Sequence, residues 1–327
     1  MHVIRSASLR PLTGKSIAIL GYGSQGRAQA LNLRDAGFVP VVGLPPRSAS
    51  RRVAGRDHFQ AVAPMRAVAS SDVIFVLAPD HLHGVVYETD IRANLRPGQT
   101  LVFAHASSVH FGLVQPPKFV DVLLVAPLGP GKRLRELRGR PDGVPCFWAI
   151  HQEVSRQARA VALALARGIG CIPAGAIQTT FADEAIGDLF GEQTVLCGGL
   201  GELLQAGVTT LIRRGLKPHA AYLECVYQLD LIVDLIKSEG LAGMYQSISP
   251  TASFGAKKAG PMIIGPEARR AMDRLYGEIA SGKFFRDWVK HGSVVRSRRR
   301  IAPEVPVAFQ RGERDVLKSL GSRRPKR

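Results

Sequence analysis

The sequence predicts an α/β protein, with a doubly wound domain on a parallel sheet followed by an all-helical domain. Three observations lead there. Short apolar runs bounded by Gly and Pro alternate with helical stretches through the first half of the chain. A glycine-rich turn lies between the first such run and the first helix. After about residue 182 long helical periodicity takes over. Strand–helix alternation builds parallel sheets because each parallel pair needs a crossover.

In order, residues 15–20 form the first strand, and a helix follows from Ser24 to about Ala36, ended by Gly37. Residues 39–44 form a second strand and 72–77 a third, with a helical stretch over 83–94. Residues 100–104, 121–125 and 144–150 complete the set. Apolar runs this short, flanked by breakers, read as buried parallel strands. The later helices cover residues 182–215, 218–240 and 266–289. Pro218 and Pro266 suit first turns, and Gly215 and Gly240 suit helix ends.

A chain of 327 residues fits two domains. The expected division is 1–181 for the sheet domain, 182–290 for the helical domain and 291–327 for a basic, flexible tail. The net charge of +18 is partly local, since eleven Lys or Arg and only three acids follow His291. A second basic run extends from Lys132 to Arg140, near the expected site edge, where an anionic substrate or cofactor could meet it. Basic tails can bind nucleic acid, but no aromatics interleave with these arginines and no nucleic-acid motif is present. Nucleic acid is therefore not the expected partner. No uninterrupted apolar run approaches the roughly 18 residues of a membrane span, so no membrane attachment is expected. Cys146, Cys171, Cys197 and Cys225 lie far apart. They read as reduced thiols of a cytoplasmic protein.

Gly21-Tyr22-Gly23-Ser24-Gln25-Gly26 opens the first helix directly after the first strand. This is G-x-G-x-x-G in the context of a Rossmann-type dinucleotide site. The helix N-terminus offers unpaired N–H groups to a pyrophosphate. A site for NADH usually ends the second strand with an acid for the ribose 2′-hydroxyl. Here that strand runs into Pro45, Pro46, Arg47, Ser48, Ala49, Ser50, Arg51 and Arg52. Hydroxyls and arginines suit a 2′-phosphate, so NADPH is expected over NADH. In the helical half, Asp188 and Glu192 stand four apart in an apolar stretch, and so do Glu224 and Gln228. Carboxylates at i and i+4 share a helix face and repel. A divalent metal between them relieves that repulsion. A hydride carrier with a carboxylate cluster suggests reduction of a metal-polarised carbonyl.

Several segments together resemble the ketol-acid reductoisomerase family, in its short form (class I). They are the glycine-rich turn, Phe103-Ala104-His105, His110-Phe111-Gly112, Asp188-Leu189-Phe190-Gly191-Glu192-Gln193 and Ser247-Ile248-Ser249. The resemblance runs from about Gly14 to Val289. It implies a Rossmann domain, a knotted helical domain and an active site shared across a homodimer. It further implies isomerisation and reduction of an acetohydroxy acid with NADPH and Mg²⁺, in branched-chain amino-acid synthesis. Carried over by position, Asp188 and Glu192 would bind metal, and Glu224 would reach the site from the other subunit. Ser249 would hydrogen-bond the substrate carboxylate, and His105 would sit near the nicotinamide. Ser48 and Ser50 match the family's 2′-phosphate serines, with Arg47 standing in for a family arginine that is Pro45 here.

The departures cluster at the same site. A family lysine is Leu128, and a second family glutamate is Gln228. The family's Gly-Phe-Asn is Ala106-Ser107-Ser108, and its Asn-Thr-Ala-Glu-Tyr-Gly is Pro250-Thr251-Ala252-Ser253-Phe254-Gly255. Alkyl migration asks most of such a polar network. Three readings therefore stand: a reductoisomerase with an altered network and one or two Mg²⁺ ions; a relative that only reduces a 2-keto acid or imine; and a non-catalytic cofactor-binding protein with a nucleic-acid-binding tail.

Overall fold

The computed structural model describes residues 2–294 and 303–320. The sheet half contains β1 (Val3–Ile4), β2 (Ile17–Leu20), α1 (Ser24–Asp35), β3 (Val41–Gly43), α2 (Ser50–Arg56), β4 (Ala61–Val62), α3 (Pro64–Ala69) and β5 (Val73–Val76). It continues through α4 (His83–Val86), β6 (Thr100–Phe103), α5 (Ser107–His110), β7 (Asp121–Pro127), α6 (Gly131–Glu136), β8 (Cys146–Gln152), α7 (Ala158–Gly168) and β9 (Ala176–Gln178). The helical half contains α8 (Phe181–Gly191), α9 (Gly198–Arg213), α10 (Pro218–Tyr222), α11 (Leu229–Ser247), α12 (Pro250–Ile263), α13 (Pro266–Ala280), α14 (Lys283–Val294) and α15 (Val307–Leu320).

The strands form one sheet in the order β1-β9-β8-β7-β6-β5-β2-β3-β4. From β4 to β7 every pair is parallel. Side chains alternate across this sheet and build two cores. Ile17, Ile19, Val73, Phe75, Val102, Leu123 and Val125 face α1 and α7. Ala18, Leu20, Ile74, Val76, Leu101, Phe103, Val122 and Leu124 face α3, α5 and the start of α8.

One of the expected strands departs from the all-parallel reading, and the short β1 also pairs antiparallel, with β9. β8 runs antiparallel to β7, with Cys146 opposite Pro127. The intervening α6 has six residues and is about 9 Å long. β7 has seven residues and spans about 23 Å. So short a helix does not carry the chain back along the sheet, and β8 starts where β7 ends. The short strands β1, β4 and β9, of which β1 and β4 form the two edges of the sheet, have no clear sequence signal at two or three residues each.

The chain forms two compact units. One comprises the residues up to Asp188 together with α14, and the other comprises Leu189–Ser281 together with α15. In the first unit, α14 packs on the segments that follow β5 and β6. Phe285 stacks on Phe111 at 5.4 Å, and Trp288 meets His81 edge-on at 5.1 Å. In the second, Val208, Ala221, Tyr222, Phe309 and Val316 form a small core. A Cβ at position 312 would fall 2.3 Å from the Pro218 carbonyl oxygen, so α15 crosses α10 at a glycine.

Part of the expected flexible tail is therefore a packed helix. Its Phe309, Gly312 and Val316 are buried at helical spacing, a stripe that the charge count conceals. The rest of that stretch, residues 295–302 and 321–327, lies outside the described residues. α11 bends at Gly240, where φ is +74°, which agrees with the helix end expected there.

Candidate active site

The glycine-rich turn sits at the C-terminal end of β2. Gly21 has φ +100°, and a Cβ there would lie 2.5 Å from the Leu77 carbonyl oxygen. A Cβ on Gly26 would lie 2.2 Å from the Gly21 oxygen, so only glycine lets α1 pack this close to its own turn. Gly23 caps α1 without a side-chain bond. Its open backbone leaves the first N–H groups of Ser24 and Gln25 to a ligand. This cradle fits a dinucleotide pyrophosphate.

Two residues expected at the cofactor use their side chains elsewhere. Tyr22 donates its hydroxyl to Asp57 at 2.9 Å and meets Phe59 edge-on. Burial and Asp57 push its pKa well up. Gln25 donates to the Gly129 carbonyl at 2.9 Å. Both can serve a cofactor through their backbone.

The loop after β3 carries no acid. Arg51 donates to the carbonyls of Leu44 at 2.7 Å and Ala61 at 2.6 Å, which ties the two ends of the loop together. That removes Arg51 from the three arginines suited to a phosphate. Arg47 and Arg52 are exposed. Ser48 Oγ accepts from the Ser50 N–H at 3.3 Å, folding the serines into a tight turn. The acid that follows α2, Asp57, is held by Arg27 at 2.6 and 2.9 Å, and Arg27 keeps its carboxyl below the usual range.

Beyond β6 the chain places His105 against α8. Its Nδ1 lies 3.3 Å from Glu184 Oε2 and 3.3 Å from Asp188 Oδ2. Its Nε2 lies 2.6 Å from Ser107 Oγ. Glu184 also accepts the Ala106 N–H at 2.7 Å, which fixes its carboxylate. Burial opposes charge on the ring, yet the Glu184 bond and charge, with Asp80 and Asp188, push His105 up to about 9. Glu184 was not foreseen. The signal was present, because Glu184, Asp188 and Glu192 repeat every four residues.

A second buried pair stands beside it. His83 donates Nε2–H to the Ala78 carbonyl at 2.8 Å, so its Nδ1 accepts from Ser108 at 2.5 Å. Burial pushes the His83 pKa down. The Ser107 and Ser108 substitutions thus each serve one histidine.

Among the described residues no three His, Cys, Asp or Glu side chains gather as a metal group. The two carboxylates of Asp188 and Glu192 still suit Mg²⁺, which takes one or two protein oxygens and keeps water on its other positions. Both residues are exposed. Glu192 opens a π-helical turn, Glu192–Leu196, and Glu224 lies in another, Leu223–Tyr227. Such widened turns recur at functional sites. Glu224 accepts from Gln228 Nε2 at 3.3 Å, so the amide relieves the repulsion that a second acid would bring. Ser249 Oγ caps α12 by accepting the Ala252 N–H at 3.2 Å, and its own proton stays available. Leu128, at the end of β7, is 44% exposed. Much of the Lys132–Arg140 run is paired with neighbouring acids, including Arg135 with Asp35 and Arg140 with Asp142.

Comparisons with known proteins agree with this geometry. Residues 11–175 match the family model described as acetohydroxy acid isomeroreductase, NADPH-binding domain. Residues 181–306 match ketol-acid reductoisomerase, C-terminal domain. A solved NADH-preferring ketol-acid reductoisomerase from an uncultured archaeon is 35% identical over 98% of this chain and 99% of its own, with a TM-score of 0.89. A semialdehyde dehydrogenase NAD-binding protein from Cupriavidus necator shares the fold, at 18% identity over 83% of this chain and 99% of its own, with a TM-score of 0.67. With both of its parts matched in sequence and the whole chain matched in structure, this protein belongs to the ketol-acid reductoisomerase family of oxidoreductases.

Proposed function

We propose that the protein is an NADPH-dependent, Mg²⁺-assisted ketol-acid reductoisomerase. It would act on an acetohydroxy acid of the 2-acetolactate type, in cytoplasmic branched-chain amino-acid synthesis. Residues 1–181 would carry the cofactor, and residues 182–290 the reductoisomerase-type half. The observation that carries this reading is His105 held between Glu184 and Asp188 in a chain with an intact glycine-rich turn. NADPH would supply the hydride, and Mg²⁺ the polarisation of the substrate oxygens.

The chain's own residues do the rest. Gly21, Gly23 and Gly26, with the N–H groups of Ser24 and Gln25, hold the pyrophosphate, and Arg47, Ser48 and Ser50 hold the 2′-phosphate. Asp188 and Glu192 are the metal ligands. Glu184 keeps a proton on His105 Nδ1, and Ser107 fixes the other face of the ring. Ser249 donates a hydrogen bond from its hydroxyl to the substrate carboxylate while its oxygen caps α12. Glu224 completes the site from a second copy of the chain. Exposed apolar residues on α11 and α12, among them Ile236, Phe254 and Met262, support a homodimer.

Leu128 and Gln228 favour a second reading, in which only reduction survives. Leu128 offers no proton, and Gln228 no charge. Purified protein with 2-acetolactate, Mg²⁺ and NADPH should yield the dihydroxy acid. Turnover of 3-hydroxy-3-methyl-2-ketobutyrate without turnover of 2-acetolactate selects the second reading instead.

The NADPH assignment has its own test, since the archaeal relative prefers NADH. Ser48→Asp with Ser50→Asp should raise KM for NADPH by about ten-fold or more, by placing like charges at the 2′-phosphate. An unchanged KM for NADPH, or wild-type preference for NADH, removes it.

A further inference from the structure

A cavity of about 930 Å³ opens at the end of the sheet opposite the glycine-rich turn. It lies where β2 and β5 begin, beside the start of α7. Arg10, Lys15, Arg156 and Arg159 line it, and Asp72 is the one acid in the lining. Asp72 is occupied, since its Oδ2 accepts from the Ser16 N–H at 2.9 Å and the Ser16 hydroxyl at 2.7 Å. Elsewhere on this surface arginines find acids: Arg27 pairs with Asp57, Arg92 with Glu88 and Arg140 with Asp142. Among the described residues none of the four cavity cations has a carboxylate at ion-pair distance.

Four cations line one basin with a single acid, Asp72, whose charge acts on Lys15, so positive charge is in excess there and an anion offsets it. The basin also has apolar lining from Pro11 and Leu163. Its volume lies within the range of small-molecule sites, about 300–1,000 Å³. Arg156 has φ +59°, in the left-handed region where glycine is the ordinary resident. The chain nonetheless places an arginine there.

We propose that this basin binds a small organic polyanion with two or more phosphate groups, at a site separate from the dinucleotide cradle. The four cations take the phosphates, and Pro11 and Leu163 meet the organic part. A nucleic acid would ask for a basic stripe longer than this basin.

The test uses the full chain saturated with NADPH, so that the cofactor cradle is filled. Inorganic tripolyphosphate is titrated calorimetrically at about 0.15 M salt. Saturable one-site binding is expected. It should weaken by about ten-fold or more in Arg10→Ser/Arg156→Ser/Arg159→Ser, from the loss of three charges. The KM for NADPH should not move in that variant. Absent binding, or equal binding by the variant, overturns the proposal. So does a short single-stranded DNA that binds through the same residues more tightly than tripolyphosphate.

Discussion

The Nδ1 of His105 lies 3.3 Å from both Glu184 and Asp188, so this ring answers to two acids on consecutive turns of α8. Glu184 is the buried one, 5% exposed. Replacing it by Gln removes the charge that keeps the ring protonated. In metal-free Glu184→Gln the His105 pKa should fall from about 9 toward its ordinary value, as read by NMR titration. Turnover should drop by roughly 10–100-fold, as for partners that orient a site group. Unchanged turnover would remove Glu184 from the site. His83 has the opposite sign. Its folded pKa is lowered by burial, against the pull of Asp80 at 3.8 Å and with His105 and His81 adding to the lowering. The folded state therefore takes up its proton later than the unfolded chain. The stability it contributes is complete above the unfolded value of about 6.5 and is lost as pH falls below it. Between pH 7.5 and 5.5 the melting temperature should fall more in the wild type than in His83→Gln. Equal falls would show that His83 is not the group responsible.

Among the elements, α14 has the most to test. Phe285 is 2% exposed and stacks on Phe111, one residue past α5. Phe285→Ala should cost about 3–5 kcal/mol, measured as a lower urea midpoint, and should loosen the segment that carries His105. A shift under about 1 kcal/mol would mean that the stack contributes little. The central strands and α1 were legible in the sequence, because Ile17–Leu20 and Val73–Val76 are apolar at every position and the glycine-rich turn punctuates them. The direction of β8 was not, since an apolar run reads the same in either direction. Nor was α15, whose three buried residues are diluted by its charges. The site was legible where residue type alone names the chemistry, at Asp188, Glu192 and His105. Glu184 and the His83–Ser108 pair needed the strand ends to be brought together in space.

For the whole molecule, exposed apolar surface is the feature to explain. Leu231, Ile232, Val233 and Ile236 on α11 are each at least 36% exposed. The helical run Phe181–Arg213 is long and apolar enough to cross a membrane by length and composition, with 6% of its most apolar stretch buried. That run also carries Asp183, Glu184, Asp188 and Glu192 near one end, and a second copy of the chain is the cover proposed for these faces. Light scattering without detergent should give the mass of a dimer. Ile236→Glu should shift it toward the monomer and reduce activity. A wild-type monomer with full activity would remove the shared site.

The first unit draws its last helix from beyond most of the second. β1 stands at one edge of the sheet, and its partner β9 follows about 170 residues later. α14 ends at Val294. During synthesis, therefore, the aromatic seats of His81 and Phe111 stay empty until α14 has followed the whole of Leu189–Ser281 out of the ribosome. The dinucleotide fold cannot be finished in the order in which it is made. A chain stopped at residue 181 would leave those seats without Trp288 and Phe285.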